Sequence, residues 1–183
     1  WCDYKQGIVD IGTAQRAEMI MLGLNLGPED RRVVRPACAK AELAASPAMA
    51  LELADGRIVT GKASALMNAP SSTLLNSIKV LSGIADEIHL ISPVVLEPIL
   101  RLKEDIFGSR DARLNLEEIL IALSISAATN PTAQLAMEHL KELRGRDVHT
   151  THMPTPGDEA GLRRLGVNLT SEPNFSTRDL FVS

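Results

Sequence analysis

Between positions 48 and 92 the spacing of apolar residues predicts two strands, a helix and a further strand. Met49-Ala50-Leu51-Glu52-Leu53 and Arg57-Ile58-Val59-Thr60-Gly61 are short β-prone runs on either side of Ala54-Asp55-Gly56. Asp-Gly between two such runs signals a hairpin, because the tight turn needs φ > 0 and glycine supplies it without steric cost. Lys62 to Pro70 is polar and irregular. From Ser71 onward, Leu74, Leu75, Ile78 and Leu81 fall on one helical face. Glu87-Ile88-His89-Leu90-Ile91 then predicts a third strand.

The flanks are mostly helical. Residues 1–46 read as a helical linker segment, with Ala17, Ile20, Met21 and Leu24 on one side of a helix from Gln15 to Leu24. Gly27-Pro28-Glu29-Asp30 signals a helix start, with Pro early and acids in the first turn. Pro36 is expected to kink or split the next helical stretch. Ser92-Pro93 opens a helix carrying Leu96, Ile99, Leu100 and Phe107, ended by Gly108. Asn115-Leu116-Glu117-Glu118 resembles a capping box. The helix behind it, apolar nearly all round from Ile119 to Ala128, is expected to be buried on every face. Asn130-Pro131 starts another helix, Asp147 to Met153 is a strand, Thr155-Pro156 caps a short helix, and Val167 to Thr170 is a last strand. In the polar tail, Phe175, Leu180 and Phe181 are candidate docking anchors. Strands joined through helices tend to run parallel with right-handed crossovers. The pattern therefore predicts an α/β domain over 47–183: a three-layer, mixed five-stranded sheet with helices on both faces, its first strand antiparallel to its second.

Length and composition narrow the function classes. A chain of 183 residues can bury roughly 70% of its unfolded surface without disulfide staples. Aromatics make up only 3%, so the core must be aliphatic. The net charge of −4, with no basic run longer than Arg31-Arg32 or Arg163-Arg164, argues against nucleic acid as a partner. The longest nearly apolar run, Ile119 to Ala128, is too short to span a bilayer. Cys2 and Cys38 read as free thiols of a cytoplasmic protein. The chain opens on Trp1 rather than Met, which predicts a fragment of a longer protein.

Familiar chemical motifs are missing. Gly56 to Lys62 matches the start of a P-loop pattern, but the residues between its glycines form a strand and Ala63 follows the lysine. His149 and His152 lie three apart on a predicted strand and point to opposite faces, which makes them poor partners for one ion. Neither His-Glu-x-x-His nor Gly-x-Ser-x-Gly occurs. No metal or other cofactor is predicted. What remains is a set of polar residues at predicted strand ends and helix starts: Lys62, Ser64, Asn68, Ser71, Ser72, Ser92, Asn130, His149 and Thr150. Ligands of open α/β sheets bind beyond the carboxyl ends of strands, and a helix start near Ser71 suits an anion. Lys62 would neutralise it and His149 could exchange a proton with it. The plainer alternative is that these residues only cap helices and tie loops.

The hairpin Asp55-Gly56-Arg57-Ile58-Val59-Thr60-Gly61, followed by a helix, resembles the layout of cytidine deaminases. Those enzymes place a zinc ligand and a catalytic Glu on that helix and open a second one with Pro-Cys-x-x-Cys. Here Asn68-Ala69-Pro70-Ser71-Ser72 and Ser92-Pro93-Val94-Val95-Leu96 occupy those places without His, Cys or Glu. The resemblance implies topology without the deaminase zinc site.

A closer resemblance covers nearly the whole chain. The runs Asp55 to Lys62, Leu90-Ile91-Ser92-Pro93, Leu120 to Pro131, Leu143-Arg144-Gly145 and Leu165 to Pro173 look like the C-terminal part of domain-of-unknown-function family 1846. That bacterial family is also called uncharacterised protein family 0371. The resemblance implies a longer protein with an N-terminal part absent here, residues before Ser46 in a linker region, and a deaminase-like three-layer domain. Some members are labelled ATP-dependent peptidases, but no supporting motif is present here. Ser171 and Arg146 stand where relatives often have Cys. Two functions are expected on these grounds. One is binding of a small anionic metabolite or nucleotide within a larger enzyme-like protein. The other is a structural or oligomerisation module, with the absent N-terminal part or a second copy as its partner.

Overall fold

The computed structural model describes residues 1–109 and 111–175. Leu180 and Phe181 lie outside them. The elements run α1 (Cys2–Lys5), α2 (Ile11–Gly23), α3 (Val34–Ala44), β1 (Ala48–Glu52), β2 (Ile58–Lys62), α4 (Ala69–Ser82), α5 (Pro93–Arg101), α6 (Leu116–Ala127), α7 (Pro131–Glu138), β3 (Asp147–Thr150), α8 (Pro156–Leu165) and β4 (Asn168–Ser171). The described strands form one mixed sheet in the order β2-β1-β3-β4. β1 is antiparallel to both of its neighbours, and β3 and β4 run parallel.

The hairpin forms where the Asp-Gly signal places it. Leu53 N–H donates to Arg57 O, Gly56 takes φ 82°, and the Asp55 carboxylate accepts from Arg57 N–H. Strand alternation then sorts the side chains onto two faces. Met49, Leu51 and Val148 join the large core with Leu74 and Ile78 of α4, Ile119 and Leu123 of α6, Ala133 and Ala136 of α7, and Leu162 of α8. Ala50 and Ile58 face the other way, against Val33 and Ala37 at α3. Ala37 and Ala50 are wholly buried and small, which lets α3 lie close to the sheet. Across the sheet, Gly61 lets α4 approach: a Cβ there would sit 2.4 Å from Thr73 N.

Several expectations need correction. The described sheet has four strands, because residues 87–91 form a looped segment. Ile88 is exposed while consecutive Leu90 and Ile91 are both buried. A strand would send neighbouring side chains to opposite faces, so this pattern suits a loop dipping into the core. The carbonyl of Asp86 is held by Lys79 Nζ instead of by a ladder partner. The helix expected to be buried on every face is not. α6 has its capping box, with Asn115 Oδ1 accepting from Glu118 N–H, but Ile121 and Ile125 are 59% and 52% exposed. Pro36 does not split α3, since it lies in the first turn, where its missing N–H removes no intrahelical bond. Gly27 to Asp30 opens a 3-10 turn, not a long helix. The strand expected to reach Met153 ends at Thr150, after which Thr151 N–H turns back to Ala48 O.

Candidate functional site

The nine polar candidates are distributed over several places. Lys62 is exposed at the end of β2. The Ser64 hydroxyl accepts from Leu66 and Met67 N–H within its own loop. Ser92 and Asn130 cap α5 and α7: Ser92 Oγ accepts from Val94 N–H, and Asn130 Oδ1 from Thr132 and Ala133 N–H. Ser72 borders an apolar groove of about 200 Å³ that also touches Lys79 and His89. Ser71 is wholly buried and donates to Leu114 O, the carbonyl that also accepts Asn68 N–H. The α4 start expected to hold an anion is therefore already engaged by a protein carbonyl.

Of the nine, Asn68 and Thr150 share a cavity. It lies beyond the carboxyl end of β3, among Arg113, His152, Thr155 and Asp158, and holds about 30 Å³. That is room for about one water molecule, far below the few hundred Å³ of a metabolite pocket. One wall is a hydrogen-bonded knot around Asp158. Its Oδ1 accepts Leu116 N–H at 2.8 Å, and its Oδ2 accepts Asn68 Nδ2 at 2.8 Å and Thr155 Oγ1 at 2.7 Å. Burial pushes the Asp158 carboxyl above its ordinary range, against the pull of these three donors. His152 is pushed below its ordinary value by burial alone. Arg113 is held by a side-chain bond to Asp111, which raises the arginine and lowers the aspartate.

His149 belongs to the opposite face, under α3. It pairs with Ala50 in register, and its side chain meets Cys38 of α3 and Glu172 just past β4. One potential ligand atom from each of the three residues lies within 4.8 Å of the others. His149 Nε2 is 3.4 Å from Glu172 Oε1, too long for a sound hydrogen bond, and among the described residues it has no hydrogen-bond partner. His149 Nδ1 is 2.9 Å from Thr170 Oγ1, whose hydroxyl points to Val148 O. Thr170 thus engages Nδ1, and Nε2 lies on the side of Glu172. Burial, joined by the Arg31 charge, holds the His149 imidazole below its usual value, while Glu172 pulls it up. The Cys38 thiol is raised by burial first and by Glu172, Glu42 and Glu29 after it.

Of this cluster, sequence reading singled out His149 alone. Cys38 read as one of two ordinary thiols and Glu172 as part of a polar tail. The available signal was alternation: Thr170 and Glu172 continue one face of the last strand, and that face is the one His149 shares. Both cysteines are free thiols. No helix among the described residues is long and apolar enough to cross a membrane.

Comparison with known proteins agrees with the runs quoted above. The family model described as "Domain of unknown function DUF1846, C-terminal" matches residues 29–181. A UPF0371 protein of Clostridioides difficile (strain 630) is 48% identical over 190 residues, covering 100% of this chain and 38% of its own length. A UPF0371 protein of Clostridium botulinum (strain Eklund 17B / Type B) is 47% identical over 188 residues, covering 98% of this chain and 38% of its own. One of Fusobacterium nucleatum is 47% identical over 192 residues. The chain thus spans 38% of the length of these relatives. It belongs to the DUF1846 family, also called UPF0371, a family of unknown function whose C-terminal domain it contains.

Proposed function

We propose that this domain is a docking module of a longer protein, and that the remainder of that protein covers the apolar face of its first helices. The observation that carries this reading is α2. Of its 13 residues only Ala14 is buried, while Met19, Ile20 and Leu22 are 62%, 64% and 71% exposed, and Leu24 and Leu26 beyond it are exposed as well. A cluster of this kind on a short helix marks an interaction surface, because water-exposed apolar side chains gain free energy only when something covers them. Extent points to the occupant: the relatives have most of their length outside the match, and the Clostridioides difficile relative matches across this arm as well. α1 supports the geometry by fixing the arm's base, with Cys2 Sγ donating to Ser171 O and Lys5 Nζ to Pro173 O.

On this reading the α/β unit proper includes α3, which supplies one layer, and the docking arm is what precedes it. The matched family region begins at residue 29, which supports that division. The hairpin followed by α4 also supports a deaminase-like layering, with no zinc ligands in the deaminase positions. The test is the triple variant Ile20→Glu/Leu22→Glu/Leu24→Glu, followed with an apolar fluorescent dye and by thermal unfolding. The expected result is a large loss of dye binding with an unchanged melting temperature. A melting temperature lowered by many degrees would make this face part of the domain's own core and overturn the proposal.

A second reading, a small anionic ligand, retains one supporting observation: Asn68 and Thr150 meet Arg113 and His152 around one cavity. A thermal-shift screen with inorganic phosphate and nucleotides tests it. A stabilisation lost in Arg113→Ala favours it, and no shift with any anion counts against it.

A further inference from the structure

We propose that Cys38, His149 and Glu172 form a binding site for a divalent transition metal of the zinc type. The site is independent of the docking surface on α2. Three different elements supply it: α3 gives the thiol, β3 the imidazole, and the stretch after β4 the carboxylate. Cys, His and Glu with ligand atoms within 4.8 Å of one another form a mixed S, N, O donor set. Such a set suits zinc and its first-row neighbours and disfavours magnesium and calcium, which want oxygen. In a tetrahedral zinc site, with bonds of about 2.0–2.3 Å, donor atoms lie about 3.3–3.7 Å apart. His149 Nε2 and Glu172 Oε1, at 3.4 Å, already have that separation. Cys38 and Glu172 are only half-buried, which leaves their side chains free to change rotamer.

The second observation is the histidine itself. Its side chain is 4% exposed, and its Nε2 has no hydrogen-bond partner among the described residues. Its other nitrogen is oriented by Thr170, the arrangement that metal-ligating histidines use to fix tautomer and ring angle. Nearby, the Arg31 guanidinium pairs with Asp147 at 3.2 Å and donates to Asn168 O.

A thiol–imidazole–carboxylate relay is the competing use of these residues, and the geometry argues against it. In a relay the acid holds the ring nitrogen opposite the one that takes the nucleophile's proton. Here Glu172 meets Nε2, and the nitrogen left for the thiol, Nδ1, is already engaged by Thr170. On binding, the sulfur–proton bond is exchanged for a sulfur–metal bond, and the proton passes to buffer. Three protein donors leave the fourth position open, as in sites where zinc keeps a water.

The test is titration of the metal-free chain with Zn²⁺ by calorimetry, and with Co²⁺ read through thiolate-to-metal charge-transfer absorption. The expected result is one saturating equivalent, a thiolate band, and about one proton released per metal between buffers of different ionisation enthalpy. Cys38→Ser and Glu172→Gln, both at half-buried positions, should remove the saturable event while the melting temperature of the metal-free chain stays unchanged. Thr170→Val should weaken binding by about 10–100-fold. Cys2→Ser should leave binding unchanged. No saturable binding by the folded chain, or binding that survives Cys38→Ser with its thiolate band intact, would overturn the proposal.

Discussion

Replacing Asp158 should unfasten three helix starts at once. Its carboxylate accepts from the backbone N–H of Leu116 at the start of α6, from the side chain of Asn68 before α4, and from Thr155, the N-cap of α8. Asp158 is 1% exposed and Leu116 is wholly buried. Asp158→Ala leaves the Leu116 N–H and the Asn68 amide without their acceptor. At about 1–3 kcal/mol for each buried donor left unpaired, the loss should be about 3–5 kcal/mol, discounted for relaxation at Thr155. Asp158→Asn keeps one acceptor but turns an NH₂ toward remaining donors, and should cost about 1–3 kcal/mol. Urea unfolding reads both as a lower midpoint at constant m-value. The sign of the pH dependence follows from burial. Because the folded carboxyl titrates above its unfolded value, its contribution is fullest below about pH 4 and is lost as pH rises through the folded value. Arg113 and His152 border the same cavity, so the readout is the difference between wild type and Asp158→Asn, which should lose this slope. A loss under about 1 kcal/mol for Asp158→Ala would refute the view that this carboxylate ties the helices together.

Other expectations rest on packing and burial. Gly61→Ala puts a methyl group within 2.7 Å of Thr73 N, Oγ1 and Cα; it should cost about 1–3 kcal/mol or more, read as a lower melting temperature. Leu123→Ala, at a wholly buried position of α6, should cost about 2–5 kcal/mol in urea unfolding. His152 is held below its ordinary value by burial, so its contribution is full above about pH 6.5 and is lost as pH falls through the folded value. His152→Gln should flatten that acid limb of the stability profile, and an unchanged limb would contradict the assignment.

Local signals carried much of the architecture. Asp55-Gly56, Ser92-Pro93, Asn115-Leu116-Glu117-Glu118 and Asn130-Pro131 each act within a few residues, through a turn or a cap, and each appears where the sequence puts it. What failed depended on distant partners. Glu87 to Ile91 has strand composition but gains no described ladder partner, and Ile121 and Ile125 have core chemistry on a helix that leaves them exposed. The site was less legible. Ser64, Ser92 and Asn130 look like ligand groups in sequence and spend their hydrogen bonds on nearby backbone. The cluster at His149 joins positions 38, 149 and 172, a separation that no local motif encodes. The expectation of no metal weighed His149 against His152 and against motifs of close spacing, none of which reaches Cys38 or Glu172.

The central claim is that α2 is covered by the rest of a longer protein, and hydrogen exchange tests it most directly. The Clostridioides difficile relative would be measured intact and as the segment matching this chain. The amides aligned with residues 11–24 should exchange quickly in the isolated segment and be protected in the intact protein. Equal, rapid exchange in both would contradict the account. Protection in the isolated segment accompanied by dimerisation would contradict it too, and would give the surface to a second copy.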